Sequence, residues 1–159
     1  MKHTISIMVE NRFGALSRIS GLFSARGYNI ENLSVAPTGD PTVSRMTVVT
    51  NGDDRVVEQI VKQLNKQIDV IKVWNLSEHE AISREMVLVR VSTSDRSQDE
   101  IIRASQAFGA KVVDVSSNSL ALEMMGDEQE VENFLNLLKP FGIKELVRSG
   151  AVAMLKEGR

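Results

Sequence analysis

The chain has 159 residues, 42% hydrophobic and 25% charged, a length that suits one ordinary domain or two small ones and a composition that excludes disordered and fibrous classes. Its 19 basic and 21 acidic residues leave a formal charge of -2, with no basic surplus to neutralise phosphates, which argues against a nucleic-acid partner. The absence of cysteine excludes disulfides, thiol catalysis and cysteine-ligated metals, and the two histidines, His3 and His79, have no carboxylates clustered around them to build a zinc site.

In chain order, His3 to Glu10 alternates, with Ile5, Ile7 and Val9 on one side, and predicts a strand. The same stretch reaches Glu10 before the apolar region of a signal peptide can form, and no apolar run approaches about 18 residues. A cytoplasmic protein without membrane contact is expected. Ala15 to Arg26 carries Leu16, Ile19, Leu22 and Phe23 at helical spacing, and Gly27 supplies the stop. "IENLSVAP" and "SRMTVVT" predict two strands joined through the turn residues of "PTGDPT". Asp53 and Asp54 open a helix striped by Val56, Val57, Ile60, Val61 and Leu64, and "VIKVWNL" predicts a closing strand. Residues 1–76 thus read β-α-β-β-α-β.

"SEHEAIS", residues 77–83, is polar enough to be a linker, and the order then repeats over residues 84–159. "REMVLVRVS" is a strand, "SQDEIIRASQAFG" a helix ending at Gly109, "AKVVDVS" and "SLALEMM" a hairpin around "SN", "DEQEVENFLNLLKPFG" a helix and "IKELVRS" a strand. The expected class is α+β, two consecutive ferredoxin-like sandwiches, each a sheet with one face covered by two helices. The repeat is architectural only. The first strand-to-helix turn is "ENRFGAL", whereas its counterpart, "STSDRSQDE", has no glycine and a more polar helix start, so a ligand in the first turn predicts none in the second.

This architecture hosts many functions, so chemistry must be sought in sites. An RNA-binding module of this shape stacks bases on aromatics of its central strands, and "TISIMVE" and "SRMTVVT" have none. Serine nucleophiles need a neighbouring histidine, and His3 and His79 read as surface residues at the terminus and in the linker. The acidic pairs Asp53/Asp54 and Asp127/Glu128 sit where helices begin and read as helix-start residues. The scattered methionines and Trp74 read as packing. What remains is the first turn. A helix N-terminus offers unpaired N–H groups and partial positive charge to a carboxylate, Gly14 lets a ligand approach the amides of Gly14, Ala15 and Leu16, and the Asn11 amide both donates and accepts. A plain turn, permitted by Gly14 and capped by Asn11, accounts for the same spacing.

The segment "NRFGALSRISGLFSARGYNIENLSVAPTGDPTVSRMTVVTNGDD" resembles the N-terminal ACT domain of the acetolactate synthase (acetohydroxyacid synthase) small subunits, "SVAPTGDPTVSRMT" being particularly specific, and the likeness returns at "ELVRSGAVAM". The resemblance implies a non-catalytic regulatory subunit of branched-chain amino-acid biosynthesis. Such a subunit binds valine, or leucine or isoleucine, and activates a separate catalytic large subunit while conferring feedback inhibition on it. That partner carries thiamine diphosphate, FAD and Mg2+; this chain itself needs no cofactor. ACT domains of the family pair side by side as a homodimer. Carried over by position, the effector would lie between Asn11, Gly14, Ala15 and Leu16 of one protomer and Asn29 and Ile30 of the other. Phe13 stands where many ACT turns carry proline. Two other readings are a free-standing ACT-type sensor acting on a different protein, and a small enzyme, for which the chain offers no nucleophile, metal set or acid–base pair.

Overall fold

A computed structural model describes residues 1–94 and 97–157 and divides the chain into two compact units, Met1–Ile82 with the segment from Ala151 onward, and Ser83–Gly150. In the first unit β1 (Lys2–Glu10), α1 (Ala15–Ala25), β2 (Ile30–Pro37), β3 (Val43–Asn51), α2 (Asp54–Asn65) and β4 (Val70–Asn75) form a four-stranded antiparallel sheet of order β2-β3-β1-β4. The period-two pattern sends Ile5, Ile7, Val9, Met46 and Val48 to one face, where they meet Ile19 and Phe23 of α1 and Val57, Ile60 and Leu64 of α2. Each large side chain so buried is worth roughly 1.5–3 kcal/mol relative to exposure, so this seam holds the helices on the sheet.

The helix boundaries have local causes. Asp53 caps α2 by accepting from the Val56 amide at 2.9 Å, and Gly27 ends α1 with φ 70°, the left-handed region glycine enters without a Cβ penalty. β2 is an edge strand, bonded to β3 and running from Ile30, opposite Thr50, to Pro37, opposite Ser44.

In the second unit β5 (Ala81–Ser92), α3 (Gln98–Gln106), β6 (Lys111–Val115), β7 (Ser119–Gly126), α4 (Glu128–Leu138) and β8 (Ile143–Arg148) repeat the order, the sheet running β6-β7-β5-β8. Its core joins Val87, Val89, Val91, Leu120, Leu122 and Met124 to Ile101, Val131, Phe134 and Leu138. Asp127 and Glu130 form a capping box at the start of α4, each side chain accepting from the other's backbone amide at 2.8 Å. Of the second strand-to-helix turn, Asp95 and Arg96 lie outside the described residues.

Three readings change. Part of the expected linker is ordered as a 3-10 turn, Leu76–Glu78, and β5 begins at Ala81, because Ala81 and Ile82 extend the alternation of the strand that follows. A ninth strand, β9 (Val152–Leu155), was not anticipated. It belongs to the first unit, where Ala151 N–H donates to Asn32 Oδ1 and Ala153 N–H to Thr47 Oγ1, both at 3.4 Å, and Lys156 N–H donates to the Glu80 carbonyl at 3.1 Å. Four residues carry too few alternations to announce a strand. Finally, His79 is exposed as expected but His3 is buried, 4% exposed, because it shares the parity of Ile5, Ile7 and Val9 along β1 and so faces inward, where Nε2 lies 3.1 Å from the Gly52 carbonyl.

Candidate functional site

The turn between β1 and α1 is fixed largely by backbone bonds. Arg12 N–H donates to the Glu10 carbonyl at 2.9 Å and Ala15 N–H to the Arg12 carbonyl at 3.2 Å, while Gly14 takes φ 81° and ψ -3° and serves as the N-cap of α1. A side chain in that left-handed region costs roughly 1–2 kcal/mol, which is the local reason for glycine. No side chain caps the helix, and the Gly14 and Leu16 amides have no acceptor among the described residues. They are the donors left for an anion. The Ala15 amide, expected to join them, is engaged within the turn.

Asn11 ties this turn to the β2–β3 loop. Its backbone N–H donates to the Thr42 carbonyl at 2.8 Å and its Nδ2 to the Pro41 carbonyl at 3.0 Å. The loop is rigid on its own account: the Asp40 carboxylate accepts from the Thr42 hydroxyl at 2.7 Å and the Thr42 amide at 2.9 Å, bonds that hold Asp40 below the usual carboxylate range. The "PTGDPT" loop therefore fixes Asn11. The Asn11 Oδ1 keeps its acceptor capacity, without a partner among the described residues.

A cleft of about 240 Å3 opens between the start of α1 and the paired ends of β2 and β3. Asn11, Ala15 and Leu16 line it, with Glu10 and Arg12, themselves ion-paired at 2.9 Å, at the polar side. The apolar side is built by Val9, Met46, Val35, Ala36 and Pro37. This is smaller than the roughly 300–1,000 Å3 of drug-sized sites and fits a small zwitterion with an apolar side chain.

The other residues of the expected site lie apart from the cleft within one chain: Gly14 does not line it, and Asn29 and Ile30, expected from the other protomer, are distant from it. The open side of Gly14 faces Arg18, not the cleft: an ideal Cβ there would stand 2.8 Å from Arg18 Nη1. Asn29 and Ile30 lie at the far end of the same protomer's β2, where the Asn29 carbonyl accepts from the Thr50 hydroxyl at 2.6 Å. Seven residues at about 3.3 Å put them roughly 23 Å along the strand from Pro37. Within one chain, then, Asn11, Ala15 and Leu16 converge, and Asn29 and Ile30 do not.

Sequence reasoning missed the Val35–Pro37 wall and the pair Arg18–Asp69. The wall lay inside the recognised "SVAP", and Arg18 falls one helical turn after Gly14, a spacing that could have drawn attention to it; Asp69, between α2 and β4, gave no pattern. Arg18 Nε donates to Asp69 Oδ2 at 2.6 Å, a bond that holds Asp69 below, and Arg18 above, its ordinary pKa.

Among the described residues no group of histidine and carboxylate side chains could hold a metal ion, and no helix is long and apolar enough to cross a membrane.

Comparison with known proteins returns one consistent set. Residues 5–72 match the model of the AHAS small subunit-like ACT domain, and residues 84–157 that of the small subunit of acetolactate synthase. A probable acetolactate synthase small subunit of Archaeoglobus fulgidus is 48% identical, covering 98% of each chain, and the acetolactate synthase small subunit of Haemophilus influenzae is 47% identical over 97% of this chain and 95% of its own. The crystal structure of the acetolactate synthase small subunit from Thermotoga maritima superposes with a TM-score of 0.90 at 34% identity, covering 100% of this chain and 99% of that one.

Proposed function

The chain belongs to the acetolactate synthase small-subunit family, its first unit an ACT domain, and from that premise we propose that it is the non-catalytic regulatory subunit of that enzyme, binding valine or a related branched-chain end product. The observation that carries this reading is the cleft beside the β1–α1 turn, which joins Leu16, whose amide is free, and the Asn11 acceptor to an apolar wall. A free α-amino acid presents the complement: a carboxylate for the Gly14 and Leu16 amides, an ammonium for Asn11 Oδ1, and a branched apolar side chain for Val35, Ala36 and Met46.

Strand geometry supports a dimeric form of the site. β2 offers an open edge, and an isologous pairing of two such edges runs them antiparallel. The partner's Asn29 and Ile30 would then come opposite this protomer's Pro37, at the mouth of the cleft. Residues roughly 23 Å apart in one chain become neighbours in two.

Chain and catalytic large subunit would form one enzyme, in which the large subunit carries thiamine diphosphate, FAD and Mg2+ and condenses two pyruvates, or pyruvate with 2-oxobutyrate. This chain activates it and transmits inhibition by preferring one arrangement of the complex when the effector is bound. A coupling of about 1–3 kcal/mol gives 5- to 150-fold inhibition. Discrimination among valine, leucine and isoleucine is modest, since one methylene in an apolar pocket is worth about 1–3 kcal/mol.

The test is thermal unfolding of the chain with L-valine, D-valine, leucine and isoleucine, followed by copurification with the catalytic subunit. Ligand at 100 times its dissociation constant adds about 2.7 kcal/mol, so a rise with L-valine and none with D-valine is expected. Binding without copurification would instead support a free-standing sensor, and no shift in chain or complex would overturn effector binding.

A further inference from the structure

The room that Gly14 leaves is filled by a guanidinium. Arg18 Nη1 stands 2.8 Å from the position of a Gly14 Cβ, its Nη2 donates to the Phe13 carbonyl at 3.2 Å, and its Nε donates to Asp69 at 2.6 Å. The Asp69 side chain is only 3% exposed, and its backbone carbonyl accepts from the Glu10 amide at 2.8 Å, at the point where β1 enters the turn. One planar fork therefore holds the turn from behind and anchors it to the buried carboxylate of a residue whose backbone carbonyl also grips the end of β1. Such a fork is geometrically specific in a way an ammonium is not.

We infer that Arg18, held by Asp69, is the positioning residue of the effector site: it fixes the Arg12–Leu16 turn from the side away from the cleft, so that the Gly14 and Leu16 amides are preorganised toward the ligand carboxylate. The inference rests on the effector reading of the cleft and deepens it. Neither Arg18 nor Asp69 lines the cleft, so both act through the turn and not by touching the ligand. Phe13, the most exposed large apolar residue of the chain's described part at 103%, gains no hold from packing, which leaves its carbonyl bond to Arg18 as the tie at the tip of the turn. Preorganisation of this kind lowers the ordering cost of binding, so its loss shows as affinity.

The experiment uses the full-length chain and Arg18→Met, Arg18→Lys and Asp69→Asn, read by amide hydrogen exchange and by calorimetry with L-valine, L-leucine and L-isoleucine. In Arg18→Met the hydrogen-bonded turn amides of Arg12 and Ala15 are expected to exchange about tenfold faster while those of Val48 and Phe134 hold. Affinity for all three ligands falls about tenfold with their ratios unchanged, because the turn holds the head group they share. A general loosening of the fold would change the ratios and the core amides as well. Arg18→Lys recovers part of the loss, and Arg18→Met with Asp69→Asn loses no more than the worse single variant, since both act through one bridge. Unchanged exchange in the turn overturns the brace, and a looser turn with unchanged affinity overturns its role in binding. A parent chain that binds none of the three overturns the effector reading, while the exchange result still decides the brace. If Arg18→Met does not fold, Arg18→Lys and Asp69→Asn carry the same comparison.

Discussion

Gly14→Asp separates the conformational from the electrostatic part of the site. At φ 81° the new side chain pays roughly 1–2 kcal/mol for the left-handed region, at the lower end because aspartate is tolerated there. For a chain of this size that alone lowers Tm by about 2–4 °C per kcal/mol. Its Cβ would stand 2.8 Å from Arg18 Nη1, so the guanidinium must give way and loosen its hold on the Phe13 carbonyl, while the core of the unit, which neither group enters, keeps the fold. The carboxylate, however, stands beside the turn whose amides are to receive the ligand carboxylate. Two unit charges about 5 Å apart at an effective dielectric near 20 repel by about 3 kcal/mol, and Arg18, within reach of the new group, moderates this. L-valine affinity is expected to fall roughly 10- to 100-fold, or about 1.4–2.8 kcal/mol. Gly14→Ala carries the strain without the charge and should lose less than about fivefold. The assay is calorimetric titration of each variant, with acetolactate synthase activity of the reconstituted complex against valine as the second readout. Equal losses in the two variants would refute the electrostatic reasoning, and valine inhibition retained by Gly14→Asp would refute the pose.

The acid dependence of stability should carry the Arg18–Asp69 pair. Because Asp69 has a depressed folded pKa, its contribution is present above the ordinary carboxylate value near 4 and is lost as pH falls through the depressed one; the Tm difference between parent and Asp69→Asn should therefore shrink on acidification below about pH 4, and a gap that widens would contradict the sign. Mixing Gly14→Asp chains with Asn29→Ala chains should restore valine binding at one of the two sites of each mixed dimer, since that site joins an intact turn to an intact strand start; equal silence of the mixture, with exchange of protomers shown by mass spectrometry, would place the whole site in one chain. A chain ending at Gly150 loses the bonds of Ala151 and Ala153 to Asn32 and Thr47 and should unfold in its first unit about 1–3 kcal/mol more easily, measured by denaturant titration followed through Trp74. Asp127→Ala removes one half of the α4 capping box and should cost about 1 kcal/mol, read as a lower Tm of the second unit.

What was legible in the sequence followed from local chemistry. β1, α1 and α2 announced themselves through period and caps, since Ile5, Ile7 and Val9 alternate, Gly27 stops a helix and Asp53 starts one, and each of these acts within a few residues. The edge of the turn was legible for the same reason: Gly14 sits at the one place where a left-handed N-cap is needed. What was not legible depends on residues distant in the chain. Arg18 finds Asp69 fifty-one positions on, Asn11 finds Pro41 and Thr42, and β9 finds Asn32 and Thr47 more than a hundred positions back. The inward face of His3 was open to reading, since it shares the alternation of Ile5, Ile7 and Val9, but its partner, the Gly52 carbonyl after the neighbouring strand, was not. Without the pairing register, none of these contacts can be read from spacing.

The two units show why architecture and chemistry separate in this fold. Both place a helix after their first strand, yet α1 opens on a left-handed glycine with no acidic residue in its first turn, whereas α3 opens after Ser97 with Asp99 and Glu100 in its first turn. Those carboxylates complement the helix N-terminus from within the chain, and an external carboxylate would meet like charge. The cleft of the second unit lies elsewhere, across the sheet between Leu88, Arg90, Val113, Ala121 and Val147, where Arg90 is already paired with Asp114 at 3.0 Å. In the first unit the corresponding charges are arranged the other way: Arg18 is drawn behind the turn by a buried carboxylate, and the helix start is left without an internal anion. The first unit keeps an uncompensated positive end and the second neutralises its own. The same β-α-β-β-α-β order thus carries different charge at the starts of α1 and α3, and the difference resides in a handful of side chains.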